Sequence, residues 1–214
     1  MSVIMLRLTA ALAVLVFLLP AQESVRELIT QLQSSDARVR TSATDAFDYI
    51  GAEAKKAVPD LIRLLKHSDA GVRSSAAMVL GSVGDAEKEA VPALVPLLKD
   101  SAAEVRSAAA YALGRMRGAA KAAVPALVPL LKDGDSEVRD EVANALGFMG
   151  AEAKEAVPSL LPLLEERDGS VRRSAANALG QMGAAAKEAL PALVRAAQSD
   201  SSHDYNSPAL AIVR

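Results

Sequence analysis

The sequence contains no cysteine and no tryptophan, and only three tyrosines, three phenylalanines and two histidines among its 214 residues. Without cysteine, neither a disulfide framework nor a lipoprotein anchor is available. The formal net charge of −2 gives no general attraction to nucleic acid or to an anionic membrane surface. We therefore expect no nucleic-acid partner, and no membrane contact beyond the N-terminal segment described below.

Few side chains are available for catalysis or metal binding. The two histidines are His67, in a turn between helical segments, and His203, near the C-terminus, and neither has a recognisable ligand spacing. We predict no catalytic residue, no metal site and no cofactor, and hence a protein that is not an enzyme.

The first 21 residues differ in composition from the rest of the chain. Arg7 precedes the apolar run LTAALAVLVFLL, which is followed by Pro20, Ala21 and a polar stretch. A short apolar run behind one positive charge is typical of a secretory signal peptide. We predict a signal peptide over residues 1–21 and export to the periplasm or the extracellular space. The alternative is a retained N-terminal membrane anchor.

A 33-residue repeat organises the remaining sequence. Five prolines keep this spacing, as do five Val-Arg pairs that begin at Val39 and five lysines that begin at Lys55. Such a fixed period is the signature of a repeat architecture. The prolines are Pro59, Pro92, Pro125, Pro158 and Pro191, and the lysines are Lys55, Lys88, Lys121, Lys154 and Lys187.

Each repeat encodes two antiparallel helices. In AEVRSAAAYALGRM, the apolar residues Val105, Ala109, Ala112, Leu113 and Met116 recur at helical spacing, which predicts an amphipathic helix with a buried face. We expect the glycines at 114 and 118 to weaken and end this helix. The segment AVPALVPLL supplies the other helix of the pair, and each pair can bury its apolar face only against its neighbours.

The position of each proline predicts where a helix begins or bends. Pro92 suits the first turn of a helix, so AEKEA before it should form a short turn of its own. Pro96 is interior, but Arg63 and Arg195 replace it in the flanking repeats, which predicts an exposed position. We expect these interior prolines to bend the outer helices.

The pattern D..VR.AA..ALG..G.EA.EAVP.L..LL.D resembles HEAT repeats, particularly the bacterial PBS-lyase HEAT-like class. This resemblance implies an all-α fold, a right-handed α-solenoid of about five 33-residue helix pairs forming a HEAT-like superhelix. The solenoid would span residues 22–198, followed at 199–214 by a degenerate C-terminal half-repeat or tail. Some such proteins are bilin lyase-like or di-iron hydroxylase-like, which is the alternative function. The His-Glu pairs of the hydroxylases are absent from this sequence.

Two repeated charged rows favour structural interpretations. Asp36, Asp69, Asp135 and Asp168 stand four residues before the repeated arginine, where an aspartate caps a helix, and the arginines can pair with aspartates of neighbouring repeats. The lysine row could follow a polyanion, but glutamates crowd the same segments, and surface charges of this kind are usually only solvated.

The variable face of the second helices is the candidate binding surface. It carries aromatic residues at repeat positions that hold serine, arginine or glutamine elsewhere, so stacking does not require them. We predict that this face lines the concave surface and binds a protein or peptide as a non-enzymatic scaffold, the chain itself being a monomer. Glu137, Asp140 and Glu141 suggest a partner with some positive charge. The predicted partner-binding residues are Tyr49, Met78, Tyr111, Arg115, Glu141, Asn144 and Phe148.

Cleavage of the leader gives a direct test of export. N-terminal sequencing of the protein from its native host should find a start near Gln22, because Ala21 closes the leader. Recovery of Met1 would instead support the retained anchor.

Overall fold

A computed structural model describes residues 21–84 and 86–199, and within these residues the regular structure is helical, without strands. The chain divides into two compact units, residues 1–93 and 94–214. The leader predicted over 1–21 and the half-repeat or tail predicted over 199–214 lie outside the described residues, apart from Ala21 and Ser199. None of the described helices is long and apolar enough to cross a membrane.

In its described part, residues 21–84 and 86–93, the first unit contains five α-helices and one 3-10 helix. The α-helices are α1 (Ala21–Leu32), α2 (Ala37–Tyr49), α3 (Val58–Leu64), α4 (Ala70–Ser82) and α5 (Glu87–Leu94), whose last residue begins the second unit. The 3-10 helix Gly51–Ala57 precedes α3. Helix α2 packs against α1 and α4, so successive helix pairs lie side by side, as the repeat predicts.

Between residues 94 and 199, the part of the second unit that the structure describes, there are six further α-helices and six 3-10 segments. The α-helices are α6 (Ala103–Arg115), α7 (Val124–Leu127), α8 (Ser136–Met149), α9 (Val157–Leu160), α10 (Gly169–Met182) and α11 (Leu190–Ser199). The 3-10 segments are Val95–Lys99, Arg117–Ala123, Val128–Lys132, Gly150–Ala156, Leu161–Glu165 and Gly183–Ala189. Helices α6, α8 and α10, the second helices of three successive repeats, pack in that order.

The core consists of the predicted apolar positions. Val105, Ala109, Ala112 and Leu113 of α6 are all buried, as is Met116 directly after the helix. Their equivalents in α8 and α10 are buried too, which confirms the all-α helix-pair repeat. Because most of these side chains are alanine, valine and leucine, neighbouring helices pack closely and leave little room for polar groups.

Aspartates cap the second helices. The carboxylates of Asp36, Asp69, Asp135 and Asp168 accept hydrogen bonds from backbone N–H groups in the first turns of α2, α4, α8 and α10. Helix α6 has Ala102 at this position and no side-chain cap. The carboxylate of Asp100 accepts a hydrogen bond from the N–H of Ala102 itself at 3.0 Å. The capping role predicted for this row is confirmed.

Two of the repeated arginines, Arg106 and Arg139, connect one repeat to the next. Arg106 donates from Nε and Nη2 to the two carboxylate oxygens of Asp133, each at 2.8 Å, and from Nη1 to the carbonyl of Asp100. These hydrogen bonds hold the pKa of Asp133 below its ordinary value. In the next repeat, Arg139 Nε lies 3.4 Å from Glu166 Oε1, an ion pair without hydrogen-bond geometry. The predicted pairing of an arginine with an aspartate of the next repeat is thus present at Arg106, whereas Arg139 pairs with a glutamate.

The interior prolines change the helix type instead of bending an α-helix. Pro96 is exposed, as predicted, but the α-helix ends at Leu94 and the chain continues as a 3-10 helix from Val95 to Lys99. Pro129 and Pro162 have the same effect. Proline cannot donate the i−4 hydrogen bond, and its ring crowds the preceding turn. Where Arg63 and Arg195 replace the proline, α3 and α11 continue as α-helices.

The segments before the repeated prolines behave in two ways. In four repeats a 3-10 helix precedes an α-helix that carries the proline in its first turn. In the second repeat AEKEA does not form a separate turn. Helix α5 begins at Glu87 and includes Pro92, which corrects the expectation for this repeat.

Helix α6 ends between Gly114 and Gly118, as expected, but Gly114 also has a role that the sequence pattern does not predict. It is buried inside α6, and a Cβ built on it would lie 2.7 Å from Ala145 Cα and 2.9 Å from Ala145 Cβ of α8. Gly147 of α8 meets α10 in the same way, with Ala178 Cα 2.8 Å from the added Cβ. These glycines let the backbones of successive second helices approach each other closely.

The ends of the second helices use a backbone conformation that favours glycine. Gly51, Gly150 and Gly183 have φ values of +58°, +59° and +55°. Arg117 occupies the same repeat position with φ of 51°, although an L side chain is strained there. Nothing in the packing explains why arginine replaces glycine at this position.

Substituting Gly114 by alanine tests the close approach of the helices. Alanine favours an exposed helix by about 1 kcal/mol over glycine, whereas forcing an extra methyl into a packed interface costs roughly 1–3 kcal/mol. We expect Gly114→Ala to lower the melting temperature measured by circular dichroism. Gly134→Ala is the control, since a Cβ there would meet nothing within 4 Å. A Gly114→Ala protein as stable as this control would contradict the account.

Candidate functional site

The candidate site lies on the side of α6, α8 and α10 that carries the variable residues. We call this surface the second-helix face of the second unit. It comprises residues 104, 108, 111 and 115 of α6, residues 137, 141, 144 and 148 of α8, and residues 170, 174, 177 and 181 of α10. Since the three helices pack side by side in the same register, equivalent residues form rows across the face.

The row at the C-terminal ends of the helices is exposed. It consists of Arg115, Phe148 and Gln181, and Phe148 is 42% exposed. Gln181 reaches toward α8, with its Oε1 atom 2.7 Å from where a Cβ of Gly147 would lie. An aromatic ring in this row therefore has one side open to solvent.

Tyr111 and Arg115 contact each other one turn apart on α6. The Arg115 guanidinium carbon lies 6.0 Å from the centre of the Tyr111 ring, at the outer limit of a cation–π contact. Tyr111 is half-buried and Arg115 is exposed. The contact orders a cationic and an aromatic side chain together at the surface.

The row formed by residues 108, 141 and 174, which we call the middle row, differs from the sequence expectation. That expectation placed the whole variable face opposite the core. Ala108 is only 6% exposed and Ser174 only 7% exposed. The helices pack so closely that this row lies partly between neighbouring helices. Glu141 occupies the same row on α8 and is accordingly half-buried.

Three acidic residues of α8 lie around this row. Ser174 Oγ donates to Asp140 Oδ1 at 2.6 Å, and Asn144 Nδ2 donates to Asp140 Oδ2 at 3.5 Å. Glu141 has no hydrogen bond or ion pair within the described residues. Burial, followed by the negative charges of Asp140 and Glu137, raises the pKa of Glu141 from 4.5 to about 7.

The remaining predicted residues are placed as follows. Asn144 is half-buried on α8, one turn before Phe148. Tyr49, at the end of α2, is 77% exposed, and Met78 of α4 is 40% exposed. The structure thus places five of the seven predicted residues on one face of the second unit, and the other two on the surface of the first unit.

Other candidate chemistry has a structural explanation. Within residues 21–84 and 86–199, no group of three or more histidine, cysteine or acidic side chains could hold a metal ion. His67 accepts a hydrogen bond from the Asp69 N–H at its Nδ1 atom, at 3.1 Å, while His203 lies outside the described part of the chain. The lysine row is exposed, and Lys121 pairs with Glu152 at 2.7 Å.

The sequence-family profile of HEAT repeats matches residues 25–114, 91–154 and 124–212, which together span most of the chain. The chain belongs to the HEAT-repeat family. No curated protein matches the sequence.

Solved structures share this HEAT-repeat fold. An engineered protein is 29% identical, with 88% of this chain and 94% of that chain covered and a TM-score of 0.59. A designed armadillo repeat protein in complex with the peptide (KR)4 is 23% identical, with 87% and 97% covered and a TM-score of 0.65. The CpcE–CpcF complex of phycocyanin lyase from Nostoc sp. PCC7120 is 21% identical, with 73% and 98% covered and a TM-score of 0.62.

Sequence reasoning missed the polar contact between repeats on this face of the HEAT array. Ser174 was expected to face solvent, yet it is buried and hydrogen-bonded to Asp140. A signal was available, because four of the five repeats have a small residue at this position, namely Ser42, Ser75, Ala108 and Ser174, and Glu141 is the exception. Small residues at a fixed repeat position indicate that a neighbouring helix is close.

Replacing Glu141 by glutamine tests the environment of this carboxyl group. Because its pKa is raised in the folded protein, wild type loses stability as pH rises from about 4.5 through about 7. Glu141→Gln should therefore melt at a higher temperature than wild type at pH 8, and the two should converge toward pH 4. Calorimetry at both pH values measures the difference.

The exposed Glu188 provides the matched control. Glu188→Gln should leave the pH dependence of the melting temperature unchanged. A Glu141→Gln protein that melts with or below wild type at pH 8 would show that the carboxylate is better stabilised than the geometry indicates.

Proposed function

We propose that this HEAT-repeat protein is a non-enzymatic scaffold that binds a protein or peptide partner on the second-helix face. The observation that carries the proposal is the exposure of Phe148 beside Arg115, in a row that needs no aromatic side chain. The equivalent positions in other repeats hold Ser82 and Gln181, so helix stacking is satisfied by small or polar residues.

The composition of the face resembles that of binding anchors in protein interfaces. Aromatic and arginine side chains contribute most of the binding energy at typical interfaces. The chain has few aromatic residues, and two of them, Tyr111 and Phe148, lie on this face together with Arg115. The tight alanine-rich packing beneath them supplies a rigid support, which limits the entropy lost on binding.

Similar folds with bound partners support the proposal in general terms. The designed armadillo repeat protein is in complex with a peptide, and CpcE is in complex with CpcF. Repeat arrays provide extended surfaces for such contacts because each repeat adds a row of variable side chains. The chemistry of the partner for this chain depends on the residues of its own face.

A double substitution tests the proposed face. The full chain is used to capture a partner from an extract of the native host, and the affinity is then measured for variants. We expect Tyr111→Ala/Phe148→Ala to lose at least about 2 kcal/mol of binding energy, roughly 30-fold in Kd, because two anchors are removed. The stability of the variant is checked by circular dichroism.

The control is Lys88→Ala/Lys121→Ala, which removes exposed charges from the lysine row. This variant should bind as wild type does. If the aromatic variant remains folded and binds as well as the lysine variant, the second-helix face is not the binding surface.

A further inference from the structure

Glu141 occupies a repeat position where every other repeat has a small neutral residue. The equivalents are Ser42, Ser75, Ala108 and Ser174. In the second unit, Ala108 and Ser174 are buried between packed helices, whereas Glu141 inserts a carboxyl group into the same row. Neither the stacking nor the helix requires a glutamate at this position.

Within residues 21–84 and 86–199, this carboxyl group has no positive partner. On its own helix, the charges that act on it are the acidic Glu137 and Asp140. The one basic residue of α8, Arg139, lies beside Glu166 of the next repeat. Ser174 and Asn144, two hydrogen-bond donors on the same face, are bonded to Asp140.

The neighbouring helices do not neutralise Glu141 either. Their charged residues on or beside the face are Glu104 and Arg115 of α6 and Arg173 of α10, and none of these forms an ion pair with Glu141. A half-buried charge without a partner destabilises the folded chain. Side chains that reduce stability in this way are typical of functional sites.

We propose that Glu141 binds a lysine or arginine side chain of the partner segment that Phe148 and Tyr111 anchor by apolar contact. This inference rests on the proposed function and specifies the chemistry of the partner. The charge is complementary, since Glu137, Asp140 and Glu141 form a negative surface on α8 that lacks basic residues along its exposed side. A basic side chain would supply the ion pair that the fold leaves unmade.

The helix geometry sets the spacing of the partner's side chains. Glu141 and Phe148 are seven residues apart on α8, so they lie about 10 Å apart along the helix axis. An extended segment advances about 3.3 Å per residue. The basic residue and the apolar anchor of the partner therefore lie two to four residues apart in its sequence.

The same contact makes binding dependent on pH. The basic side chain pairs with the ionised carboxylate, and burial with two acidic neighbours holds the pKa of Glu141 near 7 in the free protein. Binding must therefore displace the proton at pH 6 but not at pH 8. For a pKa near 7, the affinity falls roughly ten-fold between pH 8 and pH 6.

Selection from a display library of random 12-residue peptides tests this inference on the full chain. Wild type, Glu141→Gln and Tyr111→Ala/Phe148→Ala are used in parallel at pH 8. For wild type we expect enriched peptides with lysine or arginine two to four residues from an aromatic or aliphatic residue. One enriched peptide without histidine is then titrated by calorimetry at pH 6 and pH 8.

The expected result is about ten-fold tighter binding at pH 8 than at pH 6 for wild type. Glu141→Gln should bind the same peptide more weakly at pH 8 and with no pH dependence. Enriched peptides without basic residues, or equal binding by Glu141→Gln, would overturn the role of Glu141 while leaving the face intact. Peptides that bind Tyr111→Ala/Phe148→Ala unchanged would overturn the proposed face itself, and a selection that enriches no sequence would contradict both.

Discussion

The backbones of successive second helices meet where Gly114 faces Ala145 and where Gly147 faces Ala178, and the rest of the second unit depends on this approach. A Cβ at either glycine would lie within 3 Å of the neighbouring backbone. Such proximity fixes the register between helices, so that equivalent residues align in rows. It also buries the middle row of the face, and the adjacent exposed row remains free to vary.

The polar interactions support this packing from the N-terminal ends of the same helices. Aspartate caps satisfy the first N–H groups, and Arg106 ties its repeat to the next through Asp133. The prolines act on the other helix of each pair, where Pro96 replaces α-helical hydrogen bonding with a 3-10 segment. The exposed prolines and the proposed binding surface thus lie on different helices. One helix of each pair carries the exposed prolines, and the other carries the variable side chains.

Much of this could be predicted from the sequence, because a 33-residue period reveals each role several times. The buried face, the aspartate caps and the exposure of Pro96 follow from the residue types that recur. The contact of Gly114 with the neighbouring helix could not be predicted from the sequence, since glycine more often ends a helix than allows two helices to approach closely. The sequence of one helix also does not determine its distance from the next. The burial of Ser174 and the half-burial of Glu141 depend on the same distance. The preference of proline for the first turn of a helix predicts a separate turn for AEKEA, whereas helix α5 begins at Glu87 and includes Pro92.

The absence of cysteine allows a direct test of where a partner lies, because one introduced cysteine is the only thiol in the protein. A benzophenone attached to Asn177→Cys, on the second-helix face, should cross-link a bound peptide at its nearest residues on illumination. The same group on Pro129→Cys, an exposed proline of the other helices, should give no cross-link. Cross-linking from Pro129→Cys but not from Asn177→Cys, with both proteins folded and binding, would contradict the central claim that the second-helix face holds the partner.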